Sequence, residues 1–158
     1  MADERRKSRV IYGMTNTDKT SSLSWTIVFI CWLIACVSAL GSLFFSEIMD
    51  FPPCSMCWYQ RIFMYPLVIL FLIGLFPFDR SVIKYTLPIS SIGCGFALYH
   101  TLLYYGYIPE NMQPCSQGVS CAEKYLEVFG FISIPMLSLM AFITITALLI
   151  FLRRKDSK

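Results

Sequence analysis

Two cysteines separated by two residues, Cys54 and Cys57, have the type and spacing needed for thiol chemistry. Two prolines precede them, Arg61 follows, and a long apolar run begins directly afterwards. Because proline is favoured in the first turn of a helix, we expect a helix to start near Pro53 and to place both cysteines and Arg61 on one face. The positive end of the helix dipole and the guanidinium both favour a thiolate there. The stretch therefore predicts a reactive dithiol at the mouth of an apolar helix.

A second pair of cysteines, Cys115 and Cys121, lies in a polar stretch between two apolar segments. Gly118 offers a turn between them, so a disulfide would close a small ring. Residues 120–123 match a capping box, and apolar residues at roughly helical spacing continue to Phe129. We therefore expect a short helix along the membrane surface, with Cys121 at its N-terminus, a position that favours a thiolate.

Three interpretations of the two cysteine pairs compete. They could be inert disulfides that brace outward loops, four zinc ligands, or two redox-active pairs that exchange electrons. Zinc is the least favoured because the spacing of Cys115 and Cys121 is unusual for zinc and oxidising conditions compete for the thiols, so we predict no metal. A disulfide within a C-x-x-C closes so small a loop that it stabilises little. This favours redox chemistry over a purely structural bridge.

The composition indicates that lipid is part of the solvent around this chain. Of its 158 residues, 56% are hydrophobic and only 15% are charged, whereas a soluble domain carries about 25% charged residues. The mean hydropathy is +0.61. A net charge of +3, without a basic face interleaved with aromatic residues, argues against nucleic acid as a partner. The length suffices for one domain.

Four apolar segments are long enough to cross the hydrocarbon core of a bilayer. They cover about residues 23–45, 58–78, 85–107 and 130–152, within a predicted membrane domain of residues 23–152. Residues 1–22 are polar and predict a mostly disordered N-terminal tail, and residues 153–158 form a short C-terminal tail. A cleavable signal peptide is the competing interpretation of the first segment, but that segment is longer than a typical signal core.

Lysine and arginine set the direction of the predicted spans. Eleven of the 13 lie in residues 1–22, in the connection between spans two and three, or after span four. Under the positive-inside rule both termini face the cytoplasm, and both cysteine pairs face outward. The fold prediction is therefore an all-α polytopic membrane four-helix bundle, with the short interfacial helix in its second outward loop.

A family resemblance rests on three stretches in this order. Residues 54–61, Cys-Ser-Met-Cys-Trp-Tyr-Gln-Arg, open the second of four spans, and Cys115 and Cys121 lie between spans three and four. Residues 129–135, Phe-Gly-Phe-Ile-Ser-Ile-Pro, open the last span. Together they resemble the DsbB family of disulfide bond formation proteins, and look most like its BdbC-type branch. The likeness covers about residues 23–152. In the related vitamin K epoxide reductase type, by contrast, the loop pair precedes the C-x-x-C.

The resemblance implies an enzyme of the bacterial cytoplasmic membrane that supports disulfide formation in secreted proteins. A thioredoxin-like partner of the DsbA or BdbD type would form a mixed disulfide with Cys115 on the extracytoplasmic side. Cys121 would then exchange with Cys54, and Cys57 would be the thiolate that passes electrons to a bound quinone, either ubiquinone or menaquinone. Arg61 would lie against the quinone and stabilise negative charge on it or on the Cys57 sulfur.

The single histidine, His100, lies inside the third predicted span. An ionisable residue in a membrane segment is a functional candidate by default, so we predict that His100 donates a hydrogen bond to the quinone or carries protons. The alternative is a neutral imidazole bonded to a neighbouring helix, through Tyr104. The three remaining cysteines, Cys31, Cys36 and Cys94, fit the role of small apolar fillers.

Two other functions compete with quinone-linked disulfide oxidation. One is a non-enzymatic four-span protein whose outward disulfides only brace its loops. The other is a small-molecule carrier, which is disfavoured because the chain has no internal repeat and few charges within its spans.

Overall fold

The computed structural model describes the backbone of residues 2–50, 53–107, 127–128 and 132–156, and the side chains of residues 22–50, 53–107 and 134–155. Within these ranges the chain forms four helices: α1 (Ala2–Glu47), α2 (Ser55–Leu75), α3 (Val82–Tyr104) and α4 (Ile134–Asp156). Two short strands precede α4 and pair antiparallel: β1 (Glu127–Val128) and β2 (Ile132–Ser133). Apart from this pair the described architecture is all-helical, as the sequence predicts.

Each helix packs against the next one in chain order, and α1 also packs against α4, which completes a four-helix bundle. Neighbouring helices run antiparallel, as contacts at separated points show: Gln60–His100 and Gly74–Val82 between α2 and α3, and Thr101–Pro135 and Ser90–Thr146 between α3 and α4. One end of the bundle therefore gathers the end of α1, the start of α2, the end of α3 and the start of α4. We call this the Cys54 end. The basic residues 153–155, in the last turn of α4, lie at the opposite end.

The core is apolar and draws on all four helices. Its fully buried members include Val28 of α1, Phe71 of α2, Ala97 of α3 and Phe142 of α4. At Gly93 of α3 the ring of Phe142 occupies the place that a Cβ atom would take. Small residues therefore let α3 and α4 approach closely, which is how helices commonly pack in lipid.

The outer face of the described bundle is also apolar. Large hydrophobic side chains are exposed on every helix, among them Val37, Ile69, Ile92 and Met140. Three helical segments are long and apolar enough to cross a membrane: Ser22–Glu47, Ser55–Leu75 and Ile134–Lys155. α3 is not one of these three, although at 23 residues it is as long as α4. Four of its polar residues are directed inward, since Thr86, Ser90, His100 and Thr101 are all buried.

The ends of the helices differ from the predicted spans. α1 begins at Ala2, so the prediction of a mostly disordered tail over residues 1–22 is wrong for the backbone. Residues 2–21 contain no proline, and extending an existing helix is far easier than nucleating one. α2 and α3 each begin and end three residues before the predicted segments 58–78 and 85–107.

The region before α4 also differs from the prediction. α4 begins at Ile134 rather than near residue 130, because Ile132–Ser133 pairs as a strand with Glu127–Val128. The predicted interfacial helix lies almost entirely outside the described residues. The two described residues of its range, Glu127 and Val128, are extended.

Candidate active site

The first turn of α2 is built from the C-x-x-C sequence. Cys54 is the N-cap residue, with an extended backbone (φ −69°, ψ 166°), and its side chain accepts the backbone N–H of Cys57 at 3.4 Å. A cap of this kind satisfies one of the N–H groups that a helix start leaves without a partner. The predicted helix start near Pro53 is thus confirmed, and both sulfurs lie at the positive end of the helix dipole.

The two sulfurs of this pair lie side by side. The Sγ atoms of Cys54 and Cys57 are 3.0 Å apart and both thiols are free. A disulfide requires about 2.05 Å, so a small movement of the side chains would join them. Cys54 is 8% exposed and Cys57 is half-buried. The two thiols are therefore close enough to form a disulfide.

His100 brings α3 into the site. Its side chain is buried, with Nε2 at 3.6 Å from the Sγ of Cys54 and Nδ1 at 3.0 Å from the side-chain nitrogen of Gln60. Because an amide nitrogen only donates, Nδ1 accepts this hydrogen bond and the proton of a neutral ring lies on Nε2, facing the sulfur. The intramembrane histidine thus has partners on both ring nitrogens, and they are residues of the C-x-x-C region.

These contacts set the charge of the reduced pair. The pKa of the Cys54 thiol lies well below its usual value of 9.0, chiefly because the Cys57 thiol donates a hydrogen bond to it. Burial acts in the opposite direction, while the hydrogen bond and charge of His100 and the Cys57 N–H lower the pKa further. A reduced pair therefore holds its thiolate on Cys54, which makes that sulfur both a nucleophile and a good leaving group.

Arg61 lies one turn after Cys57 and faces α1. Its Nε donates to the hydroxyl of Ser42 at 2.7 Å and its Nη2 donates to the Ser42 carbonyl at 2.8 Å. The guanidinium also stands 5.4 Å from the ring centroid of Trp58, within the range of a cation–π contact. Successive helical residues project about 100° apart, so Gln60 meets α3 while Arg61 ties the end of α1 to the start of α2.

The structure thus brings together four of the six predicted site residues: Cys54, Cys57, Arg61 and His100. Cys115 and Cys121 lie outside the described residues. Gln60 and Ser42 are not among the site residues that the sequence predicts, and both are polar residues within or beside otherwise apolar segments. Of the other cysteines, Cys31 is fully buried among apolar side chains.

The segment that carries Cys115 and Cys121 starts and finishes at the Cys54 end. Leu103, near the end of α3, packs against Cys54. Thr101 of α3 lies 3.5 Å from the carbonyl of Pro135, in the first turn of α4. The chain therefore leaves this end of the bundle after α3 and returns to the same end before α4.

Comparisons with known proteins identify the family of the chain. The family described as "DsbB: Disulfide bond formation protein DsbB" matches residues 24–152. A "Probable disulfide formation protein" of Metapseudomonas resinovorans is 43% identical over 138 residues, which cover 87% of this chain and 96% of the relative. "Disulfide bond formation protein C" of Bacillus subtilis (strain 168) is 44% identical over 127 residues, covering 80% and 92%.

A third relative, "Probable disulfide formation protein C 2" of Bacillus cereus (strain ATCC 10987 / NRS 248), is 46% identical over 129 residues, which cover 82% of this chain and 92% of the relative. No solved structure is significantly similar to the chain. The matched region contains α1 from residue 24 onward, all of α2 and α3, α4 as far as residue 152, and both cysteine pairs. The resemblance seen in the sequence is confirmed, and the chain belongs to the DsbB family of disulfide bond formation proteins.

Proposed function

We propose that this membrane disulfide oxidoreductase re-oxidises a thioredoxin-like partner outside the cytoplasmic membrane and passes the electrons to membrane quinone. The observation that carries the proposal is the reduced Cys54–Cys57 pair at the start of α2, in contact with a buried histidine and one turn before a buried arginine. A disulfide that only braced a loop would need neither neighbour. The second cysteine pair joins the same end of the bundle in this scheme.

The proposed relay is a series of thiolate–disulfide exchanges. A partner thiolate attacks Cys115 of a Cys115–Cys121 disulfide, and the second partner thiol then displaces Cys115, which leaves the partner oxidised and the loop pair reduced. The Cys121 thiolate attacks Cys54 of a Cys54–Cys57 disulfide and releases Cys57 as a thiolate. Cys115 then attacks Cys121, which restores the loop disulfide and releases Cys54. Two electrons reach the C-x-x-C pair for each partner oxidised. The Cys57 thiol holds one of the two partner protons, and the other goes to water because the Cys54 sulfur stays a thiolate.

His100 and the start of α2 favour the last of these exchanges. When Cys54 leaves, its sulfur takes on negative charge in a buried place, where an unpaired charge is costly. The Cys57 N–H and the Nε2 of His100 are already directed at that sulfur. Because leaving-group thiols of low pKa depart faster, these contacts speed the release of Cys54.

The residues around Arg61 fit a quinone that is dissolved in the membrane. The buried guanidinium has more N–H donors than the Ser42 contacts use, so it can also bind a quinone oxygen and stabilise charge on it. Trp58 and Ile62 beside it are exposed on the apolar outer face, where an isoprenoid tail would lie. A bound quinone supplies the two-electron acceptor that returns the C-x-x-C pair to its disulfide. His100 already uses both ring nitrogens within the protein, so we assign quinone contact first to Arg61.

The proposed topology is four crossings with both termini in the cytoplasm. α3 supports a fourth crossing because it directs polar side chains inward and exposes Ile92, Leu98 and Leu102 outward, as a helix that faces lipid must. The antiparallel bundle puts residues 153–155 at the end opposite Cys54, and such basic clusters favour the cytoplasmic side. Both cysteine pairs would then face the extracytoplasmic side.

The proposal is tested with full-length protein in mild detergent, supplied with a reduced thioredoxin-like oxidase and a soluble quinone. We expect quinone reduction by the wild-type chain, and its loss in Cys57→Ser and Cys115→Ala. Cys115→Ala should also trap no mixed disulfide with the partner. Cys31→Ala is the matched control, since Cys31 is fully buried in the apolar core, and it should retain the wild-type rate.

If Cys57→Ser and Cys115→Ala both reduce quinone at the wild-type rate, the relay is wrong and the disulfides are structural. Extraction of the purified membrane protein would identify the quinone that it carries, either ubiquinone or menaquinone. A chain that loses activity when its quinone is removed and regains it on addition of one type would assign the acceptor.

A further inference from the structure

The reduced site places three metal-binding atoms together. The Sγ atoms of Cys54 and Cys57 and a ring nitrogen of His100 all lie within 4.8 Å of one another. Two of the separations are 3.0 Å between the sulfurs and 3.6 Å from the Cys54 sulfur to Nε2. In the part of the chain that the structure describes, no other group of three histidine, cysteine or acidic residues brings its ligand atoms this close together.

Two sulfurs and one imidazole form a donor set that suits Zn²⁺ and similar thiophilic ions. Zinc binds thiolate at about 2.3 Å and imidazole at about 2.0–2.1 Å in a tetrahedral arrangement, which puts neighbouring ligand atoms roughly 3.5–3.8 Å apart. Movements on the order of 1 Å would bring the three atoms to those separations. Three protein ligands leave one position for water. This set differs from the four cysteines weighed above because it uses His100 and neither loop cysteine.

Gln60 orients the His100 ring so that Nε2 can act as a metal ligand. Gln60 contacts Nδ1 and holds the ring with Nε2 toward the sulfurs. For Nε2 to bind a cation, the ring proton moves to Nδ1 and the Gln60 amide turns so that its oxygen accepts that N–H, as residues behind metal-binding histidines commonly do. Both Gln60 and His100 are buried. Two thiolates with a divalent cation form a neutral group, whereas two adjacent thiolates in a buried place would be costly without one.

We infer that the reduced Cys54–Cys57 pair and His100 bind one thiophilic divalent cation, and that this binding withholds the pair from disulfide exchange. Because Cys54 is already a thiolate in the reduced pair, binding releases only the Cys57 thiol proton to water, and it transfers no electrons. The disulfide form lacks thiolates and does not bind. The cation thus distinguishes the two redox states of the pair, and it inhibits the reduced enzyme until it is removed. The inhibition rests on the proposed function, whereas the binding does not.

Cobalt titration tests the binding directly. Full-length protein carrying Cys115→Ser and Cys121→Ser is reduced in detergent, freed of reductant without oxygen, and titrated with Co²⁺ alone. We expect one equivalent to bind with thiolate-to-cobalt charge-transfer bands and the visible bands of tetrahedral Co²⁺, and Zn²⁺ to displace it. The oxidised protein should show neither. Absence of thiolate bands from the reduced protein would overturn the inference.

Variants assign the ligands. His100→Ala should weaken Co²⁺ binding at least about tenfold, the lower end of the loss that even outer support of a metal ligand causes, and Cys54→Ser should reduce the thiolate bands. Cys94→Ala is the matched control and should change neither. Circular dichroism confirms that each variant keeps its helices, and His100→Gln serves if His100→Ala does not fold. Cobalt affinity unchanged in the folded histidine variant would rule out His100 as a ligand and overturn the inference.

The titration contains neither partner nor quinone, so its result is separate from that of the relay. A chain that binds Co²⁺ but does not reduce quinone would retain the metal site and refute the proposed function. A chain that reduces quinone but binds no Co²⁺ would support the proposed function and refute the metal site. Where both hold, Zn²⁺ added to the reduced enzyme should block quinone reduction, and a chelator should restore it.

Discussion

At the residue scale, Cys54 is distinguished from the other described thiols by the donors around its sulfur. A thiolate exists above the pKa of its thiol, so a lowered pKa extends the reactive form to lower pH. In reduced wild-type protein we expect alkylation of Cys54 to stay fast as the pH falls below 9.0, and to slow only near the lowered pKa. His100→Ala should move the decline back toward 9.0. Mass spectrometry of the alkylated peptide, in buffer with a chelator, measures both profiles.

The control for this prediction is Cys94→Ala, which leaves the donors around Cys54 in place. Its profile should match that of the wild type. Because the Cys57 thiol has the largest effect on the Cys54 pKa, Cys57→Ala should move the decline further than His100→Ala. If all profiles turn at the pH of an ordinary thiol, the charge of the reduced pair is not held on Cys54.

Gln60 supports a second prediction because it positions His100. Gln60→Leu leaves the Nδ1 atom of a buried imidazole without a hydrogen-bond partner, which costs about 1–3 kcal/mol of free energy. If this cost destabilises the ring orientation that points Nε2 at Cys54, quinone-linked turnover should drop about tenfold or more, since about 1.4 kcal/mol corresponds to tenfold in rate. The Cys54 alkylation profile should also shift to higher pH, which a general loss of stability would not cause.

Tyr59→Phe is the matched control for Gln60→Leu, because Tyr59 precedes Gln60 on α2 and is exposed. It should keep the turnover and the alkylation profile of the wild type. An unchanged Cys54 profile in Gln60→Leu would show that Gln60 does not act through His100.

The sequence predicts the site as far as local structure defines it. Two prolines and the C-x-x-C spacing are enough to put Cys54, Cys57 and Arg61 at one helix start. The contacts of Gln60 with His100 and of Arg61 with Ser42 depend on which faces of α2 meet α3 and α1. That choice is made by packing between helices, so no spacing within the sequence reveals it.

At the element scale, the contact between α3 and α4 depends on the absence of a side chain at Gly93. A Cβ there would collide with the buried ring of Phe142, and such overpacking costs about 1–3 kcal/mol. Alanine gains about 0.5–1 kcal/mol over glycine in a helix, which does not offset the larger part of that range. We expect Gly93→Ala to lower the thermal midpoint in detergent micelles, followed by circular dichroism.

Gly95→Ala provides the control, because Gly95 is in the same helix and nothing lies within 4 Å of an added Cβ. Only the helix preference then acts, so its midpoint should stay level or rise slightly. Equal midpoints for the two variants would mean that α3 and α4 do not approach closely at Gly93.

Helix boundaries show where element prediction from this sequence succeeds and fails. Apolar runs locate the four helices, but they do not locate the ends, because those depend on caps and breaks. Cys54 caps α2, which therefore starts before the apolar run does. At α1 the error is larger, since nothing in the polar residues 2–21 marks a hydrophobic face even though their backbone is helical.

At the scale of the whole molecule, the bundle has apolar side chains on its outside and keeps the buried polar residues of α3 hydrogen-bonded on its inside. The buried polar residues of this helix bond to their own backbone or to α2 and α4, as Thr86, Ser90 and His100 show. Exposed apolar side chains cover the bundle around them. A protein of this kind needs lipid as its solvent, and so its direction across the membrane decides what its cysteines can meet.

That direction is tested by labelling single-cysteine variants of the full-length protein in intact cells. The relay requires Cys57 and Cys115 to face the same compartment, because thiolate–disulfide exchange needs sulfur to reach sulfur. Ser81→Cys provides the opposite control, since Ser81 precedes α3 at the end of the bundle away from Cys54. We expect a membrane-impermeant maleimide to label Cys57 and Cys115 from outside, and to label Ser81→Cys only after the cells are permeabilised. Labelling of Cys57 and Ser81→Cys from one side would contradict the proposed crossing of α2. Labelling of Cys57 from outside but of Cys115 only from the cytoplasm would make electron transfer between the two pairs impossible.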